Sequence, residues 1–275
     1  MMKNLLLVLK IIALGIFLIC ALFPLYWTLI TSLKDATEIY TYPITYWPKN
    51  VSFENYKYLL RSLNFSKYTL NSVFVSIVSA LSALIVASFS GYVLARKKFR
   101  GSKMIFFTLF ITQIIPGFML MSSIYVMLGP IGMVDNLLVL IFIYTGMMTP
   151  FSSIMMKGFF ERIPESIEEA ALIDGCKRHQ MLFKVIFPVT APGLAATFCF
   201  AFVNCWNELF LAIMLLNSEH KKTIPVGLNS FVGKADIDWG AMSAGVIIAL
   251  LPAMLIFAFA QKYIVQGLTQ GAVKE

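Results

Sequence analysis

Six long apolar runs constrain the fold of this 275-residue chain more than any other feature of its sequence. Runs of about 20 apolar residues are long enough to cross a bilayer as helices. Each run is predicted to be helical, because hydrocarbon cannot satisfy free backbone groups. Only 13% of residues are charged, which excludes an ordinary soluble domain. The sequence therefore predicts an all-α polytopic membrane protein with one domain over 1–275 and spans at about 11–33, 69–95, 104–128, 136–156, 189–216 and 239–265.

The distribution of Lys and Arg predicts the orientation of these spans, since cytoplasmic loops carry an excess of both. Five basic residues lie between spans two and three, and none lies in 129–136. With the N-terminus inside, 14 of the 22 Lys and Arg residues are cytoplasmic. Both termini and the segment 164–188 are therefore predicted to face the cytoplasm. This rule also explains the net charge of +8, and no nucleic-acid partner is expected.

The first apolar run follows Lys3 and Lys10, as in a secretory signal peptide. However, it continues to Ile30 without a small-residue cleavage site, so we expect a retained first span.

Residues for catalysis are scarce in this sequence. The two histidines, His179 and His220, are predicted on opposite sides of the membrane, so they cannot share a site. No glycine-rich loop followed by Lys and Ser or Thr is present to hold a nucleotide. We therefore predict no catalytic residue, no metal site and no cofactor in this chain. Any ATP and magnesium would be bound by another subunit.

The polar segment 164–188 between spans four and five has the signals of a helical hairpin. Ser166 followed by Glu169 predicts a capping box at the start of a first helix. Gly175 predicts its end, since glycine readily adopts the left-handed conformation found there. A second amphipathic piece is predicted over 177–186, before Pro188. On these signals alone, a docking site for a partner and an unpartnered interfacial hairpin are equally favoured.

The spacing in this segment resembles the EAA loop of the membrane subunits of binding-protein-dependent ABC importers. Glu169-Ala170-Ala171, three residues, Gly175, nine residues and Val185-Ile186-Phe187-Pro188 carry the resemblance. It implies that the hairpin docks on an ATPase. The ATPase-coupling residues are then Glu168, Glu169, Ala170, Ala171, Asp174, Gly175 and Pro188.

Further motifs resemble the carbohydrate-uptake branch of that family, the six-span second subunit of maltose-type permeases. They are the segment from Asn204 to Phe210, Trp239-Gly240, and the ending from Gly267 to Glu275. The resemblance implies a type I importer permease fold. It also implies a second homologous permease subunit, two ATPase subunits and an extracytoplasmic sugar-binding protein in a bacterial inner or plasma membrane. The same machine for glycerol phosphate or another polar metabolite is the alternative, and a six-span membrane enzyme or scaffold is the rival from another class.

Glu208 is predicted inside the fifth span. Because an acidic side chain is costly within a membrane, its presence there indicates a functional residue. One face of a continuous helix here would line the sugar pathway. It would carry Asn204, Asn207, Glu208 and Leu211. Alternatively, Glu208 pairs with a polar group and fixes helix packing. Trp206 would stack on a sugar ring or face lipid.

Two outer segments are candidates for contact with other molecules. The aromatic segment 34–67 indicates either an interfacial belt or contact with an extracytoplasmic partner. In the related importers, the loop between spans five and six reaches into the binding protein. That resemblance implies the same contact for Asn217, Lys221, Lys222 and Asp236 here.

Overall fold

A computed structural model describes residues 2–62, 64–232 and 237–270. Its helical elements are α-helices, one π-helical turn (Leu182–Ile186) and one 3-10 turn (Glu219–Lys221). The α-helices are α1 (Met2–Ser32), α2 (Ala36–Ile39), α3 (Glu54–Ser62), α4 (Phe65–Arg96), α5 (Ser102–Thr112), α6 (Gly117–Leu128), α7 (Leu137–Glu161), α8 (Glu165–Ile173), α9 (Arg178–Met181), α10 (Phe187–Val189), α11 (Ala191–Trp206), α12 (Phe210–Leu215), α13 (Ile224–Asn229) and α14 (Trp239–Gln270). The all-α prediction is confirmed.

Among the residues that the structure describes, four helices are each long and apolar enough to cross a membrane. They are α4, α7 and the segments Leu6–Ser32 of α1 and Trp239–Tyr263 of α14. Pro24, Pro150 and Pro252 lie inside continuous helices. These four helices coincide with predicted spans one, two, four and six.

The third and fifth predicted spans are not single helices. The third is interrupted at 113–116. Pro116 has an extended backbone and is the N-cap of α6. The fifth is interrupted at 207–209, where α11 ends and α12 begins. Proline explains the first interruption, since it cannot supply a helical N–H. The second occurs in a run without proline or glycine.

The chain divides into two compact units, 1–66 with 227–251 and 67–226 with 252–275. In the first, Asn55 donates hydrogen bonds of 3.0 Å to the carbonyl oxygens of Ser32 and Lys34. Gly240 lies against the Asn55 side chain, and a Cβ there would approach its Oδ1 to 2.7 Å. Because two hydrogen bonds hold the Asn55 side chain in place, this close approach favours glycine at the start of α14.

The second unit is built around α4, α7 and α11. Gly91 of α4 allows close contact with α7, since a Cβ there would lie 2.8 Å from the Met156 Cβ. One core cluster includes Val75, Leu140, Leu211 and Leu215. The other cluster lies around Met156 and continues into the hairpin that follows α7. Its buried members are Ala87, Met156, Phe160, Ile163, Ala171, Met181, Leu182 and Ile186.

Candidate functional site: the 164–188 hairpin and the break in the fifth span

The 164–188 segment folds as the predicted helical hairpin. Helix α8 ends at a turn in which Gly175 has a φ of +81°, the left-handed value that the sequence predicted. Helix α9 follows, and a π-helical turn over Leu182–Ile186 leads to α10. The direction of the chain then changes by 75° between Arg178–Val189 and Ala191–Trp206. The second part of the hairpin is therefore not collinear with α11, the helix that follows it.

The predicted capping box at Ser166 is wrong. Pro164 is the N-cap of α8, and Ser166 lies within the helix. Pro164 has an extended backbone, and its ring fixes φ, so the helix begins at the next residue, Glu165. This start is two residues earlier than an N-cap at Ser166 would give. Side-chain capping occurs instead at the second helix, where the Gln180 Oε1 accepts from the Lys177 N–H at 2.9 Å.

One side of the hairpin is buried against the rest of the second unit. Ala171 is 6% exposed, and Met181 and Ile186 are also buried. The remaining predicted coupling residues are exposed. They are Glu169, Ala170, Asp174, Gly175 and Pro188. The three residues Glu169-Ala170-Ala171 thus straddle the boundary between the buried and exposed sides.

Glu168 anchors the hairpin to the end of α4. Its Oε1 forms an ion pair of 2.5 Å with the Arg96 Nε, and both side chains are at most 14% exposed. The Tyr92 hydroxyl donates to its Oε2 at 2.8 Å, and the Arg96 guanidinium also donates to the Ile163 carbonyl at 2.7 Å. We name these residues (Tyr92, Arg96, Ile163 and Glu168) the anchor. Its charged groups are held between α4 and α8 by several hydrogen bonds.

The exposed tip of the hairpin is apolar. Ile173 is 85% exposed and Leu172 is 45% exposed, next to the turn at Gly175. These side chains lie in α8, which follows the candidate span Leu137–Glu161 and has only 9 residues. An apolar tip on an anchored support is suited to contact with another protein.

The second candidate site is the break between α11 and α12. Asn204 and Asn207 are exposed, Glu208 is half-buried, and Leu211 is 1% exposed within a core cluster. The prediction of one continuous helical face is wrong, because α11 ends at Trp206. Trp206 itself is buried and stacks on Phe202 with ring centroids 5.5 Å apart, so neither predicted position for it is correct.

Glu208 holds the break together. Its Oε1 accepts from the Leu211 N–H at 2.8 Å, and its Oε2 accepts from the Ala212 N–H at 3.1 Å. The Tyr144 hydroxyl of α7 also donates to Oε2. The carboxylate therefore satisfies the free N–H groups at the start of α12 and ties that helix to α7.

Replacing Glu208 distinguishes its structural role from direct contact with solute. We expect Glu208→Gln to keep the folded yield and part of the transport activity, because an amide oxygen still accepts. Glu208→Leu leaves the two N–H groups and the Tyr144 hydroxyl unpaired, at about 1–3 kcal/mol each, and is expected to lower the folded yield. Monodispersity in detergent and solute uptake measure the two effects, with Val203→Ala, at an exposed position of α11 that has no assigned role, as the control. Complete loss of uptake in a well-folded Glu208→Gln variant would contradict the structural role.

The predicted binding-protein contacts lie in the segment after α12. Asp135 Oδ1 accepts from the N–H groups of Asn217 and Ser218 at 2.9 Å, and its Oδ2 pairs with Lys221 at 2.9 Å. Lys222 pairs with Glu219. Both lysines are thus engaged within this chain. Asp236 lies outside the described residues.

Asp135 is the centre of this outer network, and sequence reasoning missed it. Partial burial alone raises the pKa of Asp135, but hydrogen bonds from Ser218, Lys221 and Asn217 outweigh burial and hold that pKa well below its usual range. A backbone φ of 60° also suits an aspartate. The signal was an acid in a short loop, which gave no indication of partners more than 80 positions away.

We expect Asp135→Asn to lower the free energy of unfolding by about 1–3 kcal/mol at pH 7, because it removes charge-assisted hydrogen bonds. Since the native pKa is depressed, this stabilisation is present above the unfolded pKa of about 3.9 and is lost as the pH falls through the native pKa. Thermal unfolding of the detergent-solubilised chain measures the difference. The exposed Asp174→Asn is the control, and a gap between Asp135→Asn and wild type that stays constant at acid pH would contradict the linkage.

Comparison with known proteins identifies the family. Residues 83–270 match the model described as "Binding-protein-dependent transport system inner membrane component". The chain is 32% identical over 252 residues to the diacetylchitobiose uptake system permease protein DasC of Streptomyces coelicolor, covering 92% of this chain and 91% of that protein. It is 29% identical over 276 residues to the trehalose/maltose transport system permease protein MalG of Thermococcus litoralis, covering 99% and 98%.

A solved structure has the same fold. It is a chain of a bacterial ABC transporter involved in the import of the acidic polysaccharide alginate, with a TM-score of 0.81 and 23% sequence identity. The match covers 95% of this chain and 97% of that one. Together with the anchored hairpin and the apolar spans, these matches show that the chain belongs to the family of binding-protein-dependent transport system inner membrane components, the integral membrane permease subunits of ABC transporters, and is not an enzyme.

Proposed function

We propose that this chain forms half of the translocation pathway of an ATP-driven importer for a neutral sugar or oligosaccharide. The observation that carries the proposal is the EAA-type hairpin in a chain whose relatives DasC and MalG are named for sugar uptake. The apolar spans contain no cluster of basic residues, which favours a neutral solute over an anion.

The proposed complex contains a second homologous permease subunit, two ATPase subunits and an extracytoplasmic sugar-binding protein. The exposed apolar residues Leu172 and Ile173 support a contact with the ATPase. That tip lies in the same short segment as the exposed residues Glu169, Ala170, Asp174 and Gly175, and Pro188 is exposed at the far end of the hairpin. Glu168 and Ala171 hold the hairpin on the membrane domain. Closure of the ATPase dimer would move the hairpin, and the anchor would pass that movement to α4.

The proposed location is the bacterial inner or plasma membrane, with six spans and both termini in the cytoplasm. The excess of Lys and Arg beside the hairpin supports this orientation. In this orientation the segment 217–238 is external. We keep it as the contact for the binding protein, with Asn217 and Lys221 held in place by the network around Asp135 and Lys222 paired with Glu219.

The proposed pathway wall includes Asn204 and Asn207, the exposed amides at the break in the fifth span. Amides both donate to and accept from sugar hydroxyls. Glu208 positions this break, and Leu211 lies behind it in the core. A break in a helix at membrane depth is tolerated where the backbone lines a cavity, which supports this assignment.

Uptake of labelled trehalose, maltose, diacetylchitobiose and glycerol 3-phosphate tests the proposal in cells that lack the chain and in cells that carry it. We expect chain-dependent, ATP-dependent uptake of at least one sugar. Uptake of glycerol 3-phosphate alone would replace the sugar with the alternative solute, and no chain-dependent uptake would contradict the proposal.

A further inference from the structure

A cavity of about 330 Å³ lies in the first unit, outside the residues that form the proposed pathway. It is lined by the end of α1, the segment 34–45 and the first turns of α14. Its volume is at the lower end of the range for small-molecule sites, about 300–1,000 Å³. In the proposed orientation the cavity is on the external side of the membrane.

A buried lysine gives the cavity hydrogen-bond donors. Lys34 lines the cavity and is only 3% exposed. Its ammonium donates to the Thr45 carbonyl and lies 5.1 Å from the centroid of the Trp27 ring. An ammonium group has three donors. The carbonyl takes one of them, which leaves capacity to bind oxygen atoms of a ligand.

A carboxylate balances this charge. Glu38 lines the same cavity, and its oxygens accept from the Thr45 hydroxyl at 2.8 Å and from the Lys49 N–H at 3.0 Å. The backbone hydrogen bond from Lys49 and the hydroxyl of Thr45 lower the pKa of Glu38, so it is ionised at neutral pH. Because the lining carries one positive and one negative charge, it has no net charge and favours an uncharged ligand.

Two aromatic rings complete the lining. Trp239 is 46% exposed and Tyr40 is 60% exposed. The Tyr40 hydroxyl donates to the Ile237 carbonyl at 2.9 Å, which limits the movement of its ring. Aromatic side chains offer an apolar face beside a polar edge. A pyranose needs both, because its C–H face is apolar and its rim carries hydroxyl groups.

We propose that this cavity binds a neutral sugar, with Lys34 donating to ring or hydroxyl oxygens and Trp239 contacting the apolar face. The inference rests on the proposed function for its orientation and solute class. It adds a binding site to this subunit that is separate from Asn204 and Asn207. Such a site would hold a sugar at the external surface, before or beside the pathway.

Saturation-transfer NMR on the full chain in lipid nanodiscs tests the site without ATPase or binding protein. The probes are trehalose, maltose and diacetylchitobiose, with phosphocholine as the competing headgroup. We expect at least one sugar to bind wild type and to bind Trp239→Ala or the cavity-narrowing Ser243→Leu about tenfold more weakly. Trp47→Ala, an exposed tryptophan that does not line the cavity, should bind as wild type.

Three results would overturn the site: no sugar binds wild type, all variants bind alike, or phosphocholine displaces every sugar. Lys34→Met is a weaker test, because loss of its bond to Thr45 affects folding. The uptake experiment separates this inference from the proposed function. Sugar uptake that survives Trp239→Ala and Ser243→Leu, with no binding in nanodiscs, would remove the cavity site and leave the importer intact.

Discussion

Replacing Arg96 by methionine is expected to reduce coupled transport roughly tenfold or more, although the residue lies in a spanning helix far along the chain from the hairpin. The change leaves Glu168 without its ion-pair partner and the Ile163 carbonyl without a donor. Removing one partner of a buried pair costs about 3–5 kcal/mol. The hairpin would then lose its fixed position on α4. Transport in proteoliposomes, together with the ATPase activity of the complex, measures the effect.

Two comparisons make this result specific to the anchor. Arg100→Met removes an exposed arginine from the same basic segment and should leave transport unchanged. The exchange Arg96→Glu with Glu168→Arg should recover part of the lost activity, since it restores opposite charges at the same positions. Full transport by Arg96→Met, in an equally stable complex, would show that the anchor does not transmit force.

Replacing Ile173 by glutamate is expected to release the ATPase while leaving the permease folded. Ile173 is 85% exposed, so the change affects neither core cluster. The few hot-spot residues near the centre of a protein contact contribute about 2 kcal/mol or more each, about thirtyfold in affinity. A charge there adds a desolvation cost. Retention of the ATPase by the tagged permease in mild detergent measures the loss.

Ile173→Val is the matched control, because it keeps an apolar side chain at the tip and should retain the ATPase. Glu169→Lys and Gly175→Asp should also uncouple transport without preventing membrane insertion. Gly175→Asp forces a side chain into a φ of +81° at the turn. Retention of a fully active ATPase by Ile173→Glu would place the contact elsewhere on the chain.

Sequence patterns located the continuous spans and the hairpin turn because their signals are local. Apolar runs of sufficient length predict α4, α7 and most of α1 and α14. Gly175 marked the left-handed turn, since glycine has no Cβ to oppose that conformation. The family spacing also directed attention to Glu168, whose side chain is 14% exposed and pairs with Arg96 in the anchor.

The parts that sequence reasoning missed depend on residues distant in the chain. Arg96 counted only as one of several basic residues that set orientation, yet it pairs with Glu168, 72 positions later. The break at 207–209 contains no proline or glycine and depends on Glu208, which binds the N–H groups of α12 and the hydroxyl of Tyr144. Periodicity assumed one helix there, so it placed Asn204 and Leu211 on one face.

Copurification tests the central claim, docking of the 164–188 hairpin on an ATPase, most directly. The tagged chain is isolated in mild detergent, the retained subunits are identified, and their ATPase activity is assayed. We predict recovery of an ATPase and a second permease with the wild-type chain and with Ile173→Val, and loss of the ATPase alone with Ile173→Glu. A wild-type chain that purifies without any ATPase under several gentle conditions, or an ATPase retained equally by all three chains, would contradict the claim.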